Sequence, residues 1–173
     1  MANCSPDCMI FRFLSDTGLP GGVVNIVANY SATPTHFYYT APTGKVVQIE
    51  RMIMLLQDLT GLNGNVYAGL ASALTNGITL KVKSGGPTGT EILNLTELPI
   101  KINSHWKGYC HDVEPIAFVS PPQTDAMSAR WTFSKSGTPL FLDGDNQDTI
   151  VLTVQDNFTG IEIHRYQIQG VIL

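Results

Sequence analysis

Three carboxylates, Asp143, Asp145 and Asp148, form the densest group of side chains that could bind a ligand. Three carboxylates on one turn can surround Ca²⁺, because a hard cation prefers several oxygen ligands. The twelve-residue calcium loop of EF-hands is absent, since no glutamate closes the run. The alternative, which we favour, is a polar hairpin turn ahead of a strand that begins near Thr149. Calcium binding by these residues stays open at this point.

A second group comprises His105, His111, Asp112 and Glu114, which lie within ten residues of one another. Imidazole and carboxylate groups that converge can hold a metal ion or transfer protons. The spacing matches neither H-x-x-x-H nor H-E-x-x-H, so structural histidines are the simpler interpretation. Cys110 and His111 are adjacent and would point to opposite faces of a strand, which argues against a nucleophile pair.

Other patterns of enzyme chemistry are not met. The glycine-rich run at residues 84–89 lacks the G-K-[ST] ending of a phosphate loop, and a strand follows it where a helix is needed. No G-x-S-x-G elbow occurs, and no spacing of Ser, His and Asp nominates a triad. The sequence therefore predicts no catalytic residue, no metal and no cofactor, and it identifies no ligand-binding residue. We expect that the protein is not an enzyme.

Aromatic side chains offer one further kind of site, a platform on which sugars stack. The candidates are Tyr38, Tyr39, Trp106, Tyr109 and Trp131. Trp131 lies on an apolar strand face and is expected in the core. Trp106 follows a polar stretch, which makes it the better candidate for a surface position.

The cysteines are Cys4, Cys8 and Cys110, and their odd number argues against a fully paired disulfide framework. Reduced thiols of a protein made in a cytoplasm are the simplest interpretation, and the redox state of Cys4 and Cys8 stays open. Zinc at that pair would need two further ligands, Cys110 and His111, about a hundred residues later. The first residues lack a basic region and a long apolar run, so we expect neither a signal peptide nor a membrane span.

Composition limits the class of protein. The chain has 173 residues, a mass of 18.8 kDa and a formal charge of −4. The acidic balance argues against nucleic-acid binding, and 43% apolar residues exclude intrinsic disorder. Charged residues make up only 14%, against roughly 25% in an average domain. Because neutral polar groups lose less on desolvation than charges, such a surface favours protein partners and homo-oligomerisation.

Alternating apolar residues predict many short strands. Candidate strands lie at residues 23–30, 35–40, 45–57, 78–82, 129–134 and 150–154, and a last one runs from residue 161 to the end. The longest has one apolar face made of Val47, Ile49, Ile53 and Leu55. The opposite face includes methionines, so we expect part of it to be covered as well.

Two segments depart from simple alternation. Residues 66–77 carry the only helical spacing, worth about two turns. In the last strand the apolar side chains change faces at His164 and Arg165. A change of face within one strand predicts a β-bulge at that point.

Eight to ten short strands joined by turns indicate an all-β fold, an antiparallel β-sandwich. Longer connections at 58–65 and 112–127 suggest crossovers between sheets, so we predict a jelly roll over an up-and-down barrel. Glycines and a proline at residues 18–22 divide the chain. We assign residues 1–22 to an N-terminal arm or edge segment and residues 23–173 to a single sandwich domain.

Four segments resemble small jelly-roll virion proteins of tailed bacteriophages, and the resemblance runs from about residue 35 to the end. The segments are HFYYTAPTGKVVQIER at 36–51, LTNGI at 74–78, GTPLFLD at 137–143 and VQDNFTG at 154–160. The first looks like an extended strand and turn, and the last looks like the turn before a terminal strand. The N-terminal arm lies outside the resemblance, which carries over no catalytic residue.

The resemblance implies a structural component of the particle. The expected function is that of a capsid decoration or cement protein, a homotrimer that clamps neighbouring subunits of the major capsid protein. It implies a place in the virion after synthesis in the host cytoplasm, without direct contact to nucleic acid or membrane. The alternative is a carbohydrate- or receptor-binding jelly-roll module on the tail, neck or fibre.

Overall fold

Ten strands form the framework of the described part of the chain, residues 9–106, 112–117, 125–133 and 139–173 of a computed structural model. The strands are β1 (Met9–Phe13), β2 (Thr35–Thr40), β3 (Val46–Asp58), β4 (Thr79–Ser84), β5 (Thr90–Asn94), β6 (Asp112–Ala117), β7 (Asp125–Thr132), β8 (Leu140–Asp143), β9 (Thr149–Val154) and β10 (Ile163–Ile172). A 3-10 turn, Asn103–His105, lies between β5 and β6.

The strands make two sheets that pack together. The six-stranded sheet has the order β1-β10-β3-β7-β6, with β8 pairing with the first part of β3, and the four-stranded sheet has the order β2-β9-β4-β5. Every ladder between the strands is antiparallel. The predicted all-β antiparallel sandwich is therefore confirmed, and the finer assignment to a jelly roll stays a prediction.

Alternation places one face of each central strand in the core. In the four-stranded sheet, β2, β4 and β9 point fully or almost fully buried side chains into the core: Phe37, Leu80, Val82, Ile150, Leu152 and Val154. The six-stranded sheet faces them with the buried residues Val47, Ile49, Met52, Met54, Leu56, Ala129, Trp131, Tyr166 and Ile168. Each fully buried large apolar side chain contributes about 1.5–3 kcal/mol, so these rows hold the sheets together.

The β-bulge lies in β3 and not in β10. Gln169 pairs with Arg51, whereas Gly170 pairs with Ile49, so Glu50 is the extra residue. Buried and less buried side chains alternate along β10 without interruption from Ile163 to Gly170. The His164 side chain points into the core, whereas the sequence pattern placed its neighbour Ile163 there. The bulge predicted at His164–Arg165 is therefore wrong.

The bulge also changes which face of β3 is buried. Val47 and Ile49 face the core before the bulge, as predicted, but after it the core side belongs to Met52 and its alternate neighbours. Ile53 and Leu55 lie half-buried on the outer face instead. The single apolar face predicted through Ile53 and Leu55 is wrong, because an inserted residue reverses the period-2 pattern.

Gly170 is required where β10 passes the bulge. A Cβ at this position would overlap the Gln48 carbonyl oxygen of the neighbouring strand. Gly170→Ala is expected to lower the free energy of unfolding by about 1–3 kcal/mol, because backbone atoms must move apart. Gly64→Ala is the control, since a Cβ there meets nothing within 4 Å. Equal urea midpoints for the two variants would contradict this account.

Two predicted elements are absent. Residues 23–30 form no strand. Ile26 N–H donates to the His164 carbonyl at 3.0 Å, and an isolated bridge between Asn29 and Asn157 holds the end of the segment. Residues 66–77 form a loop and not a helix. Five backbone N–H groups of residues 66–77 donate to the side chains of Asp58, Asn103 and Asp156, so local spacing did not decide the conformation of this segment.

Connections between strands explain two further outcomes. The segment after β3 leads to β4 in the other sheet, which confirms a crossover beginning at 58–65. The region 112–127 is different, because β6 and β7 pair directly within one sheet. The second predicted crossover is therefore wrong. Of the segment 1–22 assigned to an arm or edge, the structure describes residues 9–22, in which β1 borders the six-stranded sheet.

Candidate functional site

Residues 143–148, which carry the three carboxylates, form a turn that is stabilised mainly by hydrogen bonds within the turn. Asp143 accepts hydrogen bonds from the Asp145 N–H (2.9 Å) and the Asn146 amide (3.1 Å), while Asp148 accepts from the Asp143 N–H (3.0 Å). Asp145 accepts from the Gly44 N–H (2.8 Å). The predicted polar turn is confirmed, but it is not a hairpin, because β8 and β9 belong to different sheets.

The histidine group does not form a site in the part of the chain that is described. His105 is exposed at the end of the 3-10 turn, where its Nδ1 accepts the Lys101 N–H at 3.2 Å. Asp112 and Glu114 lie on β6, and His111 falls outside the described residues together with all three cysteines. Within the described ranges, no group of three His, Cys, Asp or Glu side chains could hold a metal ion.

Trp106 is completely buried, so the surface position predicted for it is wrong. Its ring packs against Trp131 with centroids 5.5 Å apart and an interplanar angle of 75°. The core position predicted for Trp131 is confirmed. Tyr39 is buried as well, Tyr38 is half-buried on β2, and Tyr109 lies outside the described residues. The candidates that the structure describes, Tyr38, Tyr39, Trp106 and Trp131, therefore form no open stacking platform.

A buried histidine lies among these aromatic rings. His164 has no exposed surface, and its Nε2 is 3.0 Å from the Tyr67 hydroxyl. The Phe158 ring packs edge-on against the imidazole with centroids 5.1 Å apart. Nδ1 has no partner among the described residues. An imidazolium would leave an N–H donor there unpaired, and burial lowers the pKa of His164 to about 3.

The buried pair of Tyr67 and His164 has a structural role and not a catalytic one. Burial also raises the pKa of the Tyr67 phenol, so both groups are neutral under ordinary conditions. A proton-transfer site needs contact with a reacting group, and neither side chain is exposed. Sequence analysis did not predict that His164 is buried in the core. A histidine among the apolar residues of the last strand was interpreted as a change of the buried face of that strand.

Three neighbouring exposed apolar side chains lie on β1. Met9, Phe11 and Phe13 are 72%, 57% and 38% exposed, while Ile10 between them is buried. The Phe11 and Phe13 rings contact each other edge to face, with centroids 6.1 Å apart. Alternation therefore presents three large apolar side chains on one outward face, which we call the β1 stripe. Stripes of this kind mark interaction surfaces.

The β1 stripe is held in a fixed position by both sheets. All five residues of β1 pair with β10, from Met9 opposite Val171 to Phe13 opposite Gln167. The chain then crosses to the four-stranded sheet, where Ser15 bridges to Tyr38. The carbonyl of Ser15 accepts the Tyr38 N–H at 2.8 Å, and the Ser15 hydroxyl donates to the Leu19 carbonyl at 2.9 Å.

A recess adjoins the stripe on the outer face of the six-stranded sheet. It is lined by Phe13 of β1, by Ile53 and Leu55 of β3, and by Arg165 and Gln167 of β10, which lies between them. Ile53 and Leu55 occupy this face because of the bulge in β3. The recess therefore extends the apolar surface from the sheet edge toward the centre of the sheet.

A scan against the known protein families finds no match, and a search among curated proteins finds none either. In the ranges that the structure describes, no helix has the length and apolar character needed to cross a membrane.

Proposed function

We propose that this protein is a structural virion protein of a tailed bacteriophage, a capsid decoration or cement protein. The single observation that carries the proposal is the exposed β1 stripe on a firmly packed sandwich. Exposed apolar residues at a sheet edge are unfavourable unless a partner covers them. The resemblance of residues 36–51, 74–78, 137–143 and 154–160 to phage jelly-roll proteins supports the choice of the particle as that partner.

The mechanism is the burial of protein surface across capsid junctions. A homotrimer made in the host cytoplasm binds the major capsid protein at points where neighbouring subunits meet. Each interface removes apolar area from water at about 25 cal/mol per Å². Because the protein binds the assembled shell and not its separated subunits, binding stabilises the shell by mass action. No catalytic residue, metal or cofactor takes part, and neither nucleic acid nor membrane is contacted.

Labelling of the particle tests this function directly. Particles of the encoding phage are purified and treated with gold-labelled antibodies against this chain, and a phage lacking the gene is the control. Labels distributed over the head, with heads that break at lower temperature when the gene is missing, support the proposal. A chain that is absent from purified particles overturns it. Labels confined to the tail, neck or fibre would favour the binding module instead.

A further inference from the structure

The end strands of the two sheets differ in how their free edges are protected. β6 contains Pro115, which has no N–H to offer to another strand. β5 pairs with β4 through a register shift, and Glu91 on it forms an ion pair of 2.6 Å with Lys81. β2 is bridged by Ser15 at Tyr38. Register shifts, charges, prolines and covering segments are the devices that keep edges from pairing.

Apart from one charged residue, β1 has none of these devices. It contains no proline, no lysine and no register shift, and among the described residues it pairs with β10 alone. Its one charged residue is Arg12, which lies on the opposite face from the stripe, near Tyr39. A regular apolar edge strand of this kind is a template for another strand.

The hydrogen-bond phase of β1 shows which groups are available. Just after the strand, the Leu14 N–H donates to the Tyr166 carbonyl at 3.0 Å, so Leu14 faces β10. In an antiparallel ladder the N–H and C=O of one residue point to the same side, and alternate residues point to opposite sides. The groups of Met9, Phe11 and Phe13 therefore point to the free edge, on the residues that also form the stripe.

We propose that β1 pairs antiparallel with β1 of a second copy of this chain, around a two-fold axis at Phe11. Phe11 then lies opposite Phe11 of the second copy, and Met9 lies opposite its Phe13. All three pairs are of the hydrogen-bonded kind, so each edge N–H and C=O of these residues gains a partner. The two six-stranded sheets become one continuous sheet.

The strand is complementary to itself in side chains as well as in backbone groups. The pairing places apolar residues opposite apolar residues along the whole stripe, and such cross-strand pairs are favourable. Arg12 lies opposite Ile10, so no like charges meet directly. A strand of different sequence could form the same backbone hydrogen bonds. Because Phe11 is the central residue of β1, however, a second copy of β1 also places an apolar side chain opposite each of the three residues of the stripe.

The available area sets the strength of this contact. From their exposed fractions, the three side chains present roughly 300 Å² of apolar surface. A standard interface buries about 800 Å² on each partner. The stripe and the edge together fall below that area, so we expect a dimer that forms with increasing concentration and not an obligate one. The contact goes beyond the proposed function, since it forms in the free protein without the particle. It uses the same β1 stripe that would face the particle, so a copy must exchange one partner for the other.

Charge reversal at the axis tests the pairing. Phe11→Lys would place two lysines directly opposite each other, and like charges so placed are unfavourable. The control is Ile92→Lys on β5, because Ile92 is 56% exposed and Phe11 57%. In sedimentation equilibrium we expect Phe11→Lys to raise the dissociation constant at least about tenfold, and Ile92→Lys to leave it unchanged. If another surface holds the protein in a trimer, Phe11→Lys leaves that trimer intact and prevents two trimers from associating.

Disulfide trapping tests the register. Paired residues of the hydrogen-bonded kind have Cα atoms about 5.5 Å apart, which a disulfide can bridge. In a background with Cys4, Cys8 and Cys110 changed to serine, Met9→Cys and Phe13→Cys chains are each oxidised alone and then mixed. We expect crosslinked dimers mainly in the mixture, because residue 9 meets residue 13 of the other copy.

Three results would overturn the pairing. They are a wild-type mass that does not change up to high concentration, equal effects of Phe11→Lys and Ile92→Lys, or crosslinking of Met9→Cys alone as strongly as the mixture. None of them bears on whether the chain is present in phage particles. Failure of the pairing and failure of the proposed function are therefore separate outcomes.

Discussion

Replacing Asp156 with alanine is expected to lower the free energy of unfolding by about 3 kcal/mol or more. The Asp156 carboxylate is almost fully buried and accepts the N–H groups of Thr75 (2.8 Å), Asn76 (3.1 Å) and Gly77 (2.7 Å). Hydrogen bonds to a charged acceptor contribute about 1.5–3 kcal/mol each, and removal of the acceptor leaves three donors unpaired. Few other single side chains hold so many backbone groups.

Urea denaturation compares this variant with a matched one. Asp145→Ala removes a carboxylate of the same type that is exposed and accepts one backbone N–H, from Gly44 at 2.8 Å. We expect that control to lose at most about 1 kcal/mol. Asp156→Asn keeps one acceptor oxygen and should fall between the two. Equal midpoints for Asp156→Ala and Asp145→Ala would show that the carboxylate does not anchor the loop.

The same carboxylate is one reason why the helix predicted at residues 66–77 does not form. Val66, Leu70 and Leu74 have helical spacing, but the backbone of this segment is bonded by side chains that lie far away in the sequence. The Asn103 side chain accepts the Ala68 N–H at 2.8 Å. A window of about twelve residues contains none of these partners, so a local pattern could not reveal them.

The strands were easier to predict because their pattern is local. The alternation at residues 35–40, 78–82 and 150–154 predicts strands that the structure contains, with the expected faces buried. Errors occurred where one polar residue changed the pattern. Glu50 is inserted at the bulge and reverses the faces of β3, and the buried His164 makes the apolar row of β10 look interrupted.

The β1 stripe could not be assigned from the sequence. Met9, Ile10, Phe11 and Phe13 are all apolar, so the pattern does not show which face is buried. Their exposure depends on β1 being the last strand of its sheet, and that position results from pairing with β10 about 150 residues later. Strand order is a tertiary property, and the absence of a covering strand leaves no local signal.

Stability is expected to fall as the pH is lowered from about 6.5 toward 4, by about 1.4 kcal/mol for each pH unit from His164 alone. The pKa of this residue is lowered by burial to about 3 in the folded protein, against about 6.5 in the unfolded chain. Between these values the unfolded chain binds a proton that the folded protein does not. The contribution is therefore fully present above pH 6.5 and is lost on acidification.

His164→Gln isolates this contribution, because glutamine does not titrate and can still bond to the Tyr67 hydroxyl. The variant should be less stable than the wild type at pH 7.5, through imperfect packing, and the difference should shrink by about 3 kcal/mol toward pH 4. His105→Gln, at an exposed position, is the control and should give a curve parallel to the wild type.

Burial also lowers the pKa of His36, with Lys83 adding to the effect, so the wild-type slope includes a second histidine. That contribution is common to the wild type and both variants and cancels in the differences. If the curves of the wild type and His164→Gln stay parallel between pH 6.5 and 4, the imidazole must take up its proton inside the core. The aromatic cluster would then have to open to water at mild acidity, contrary to its complete burial.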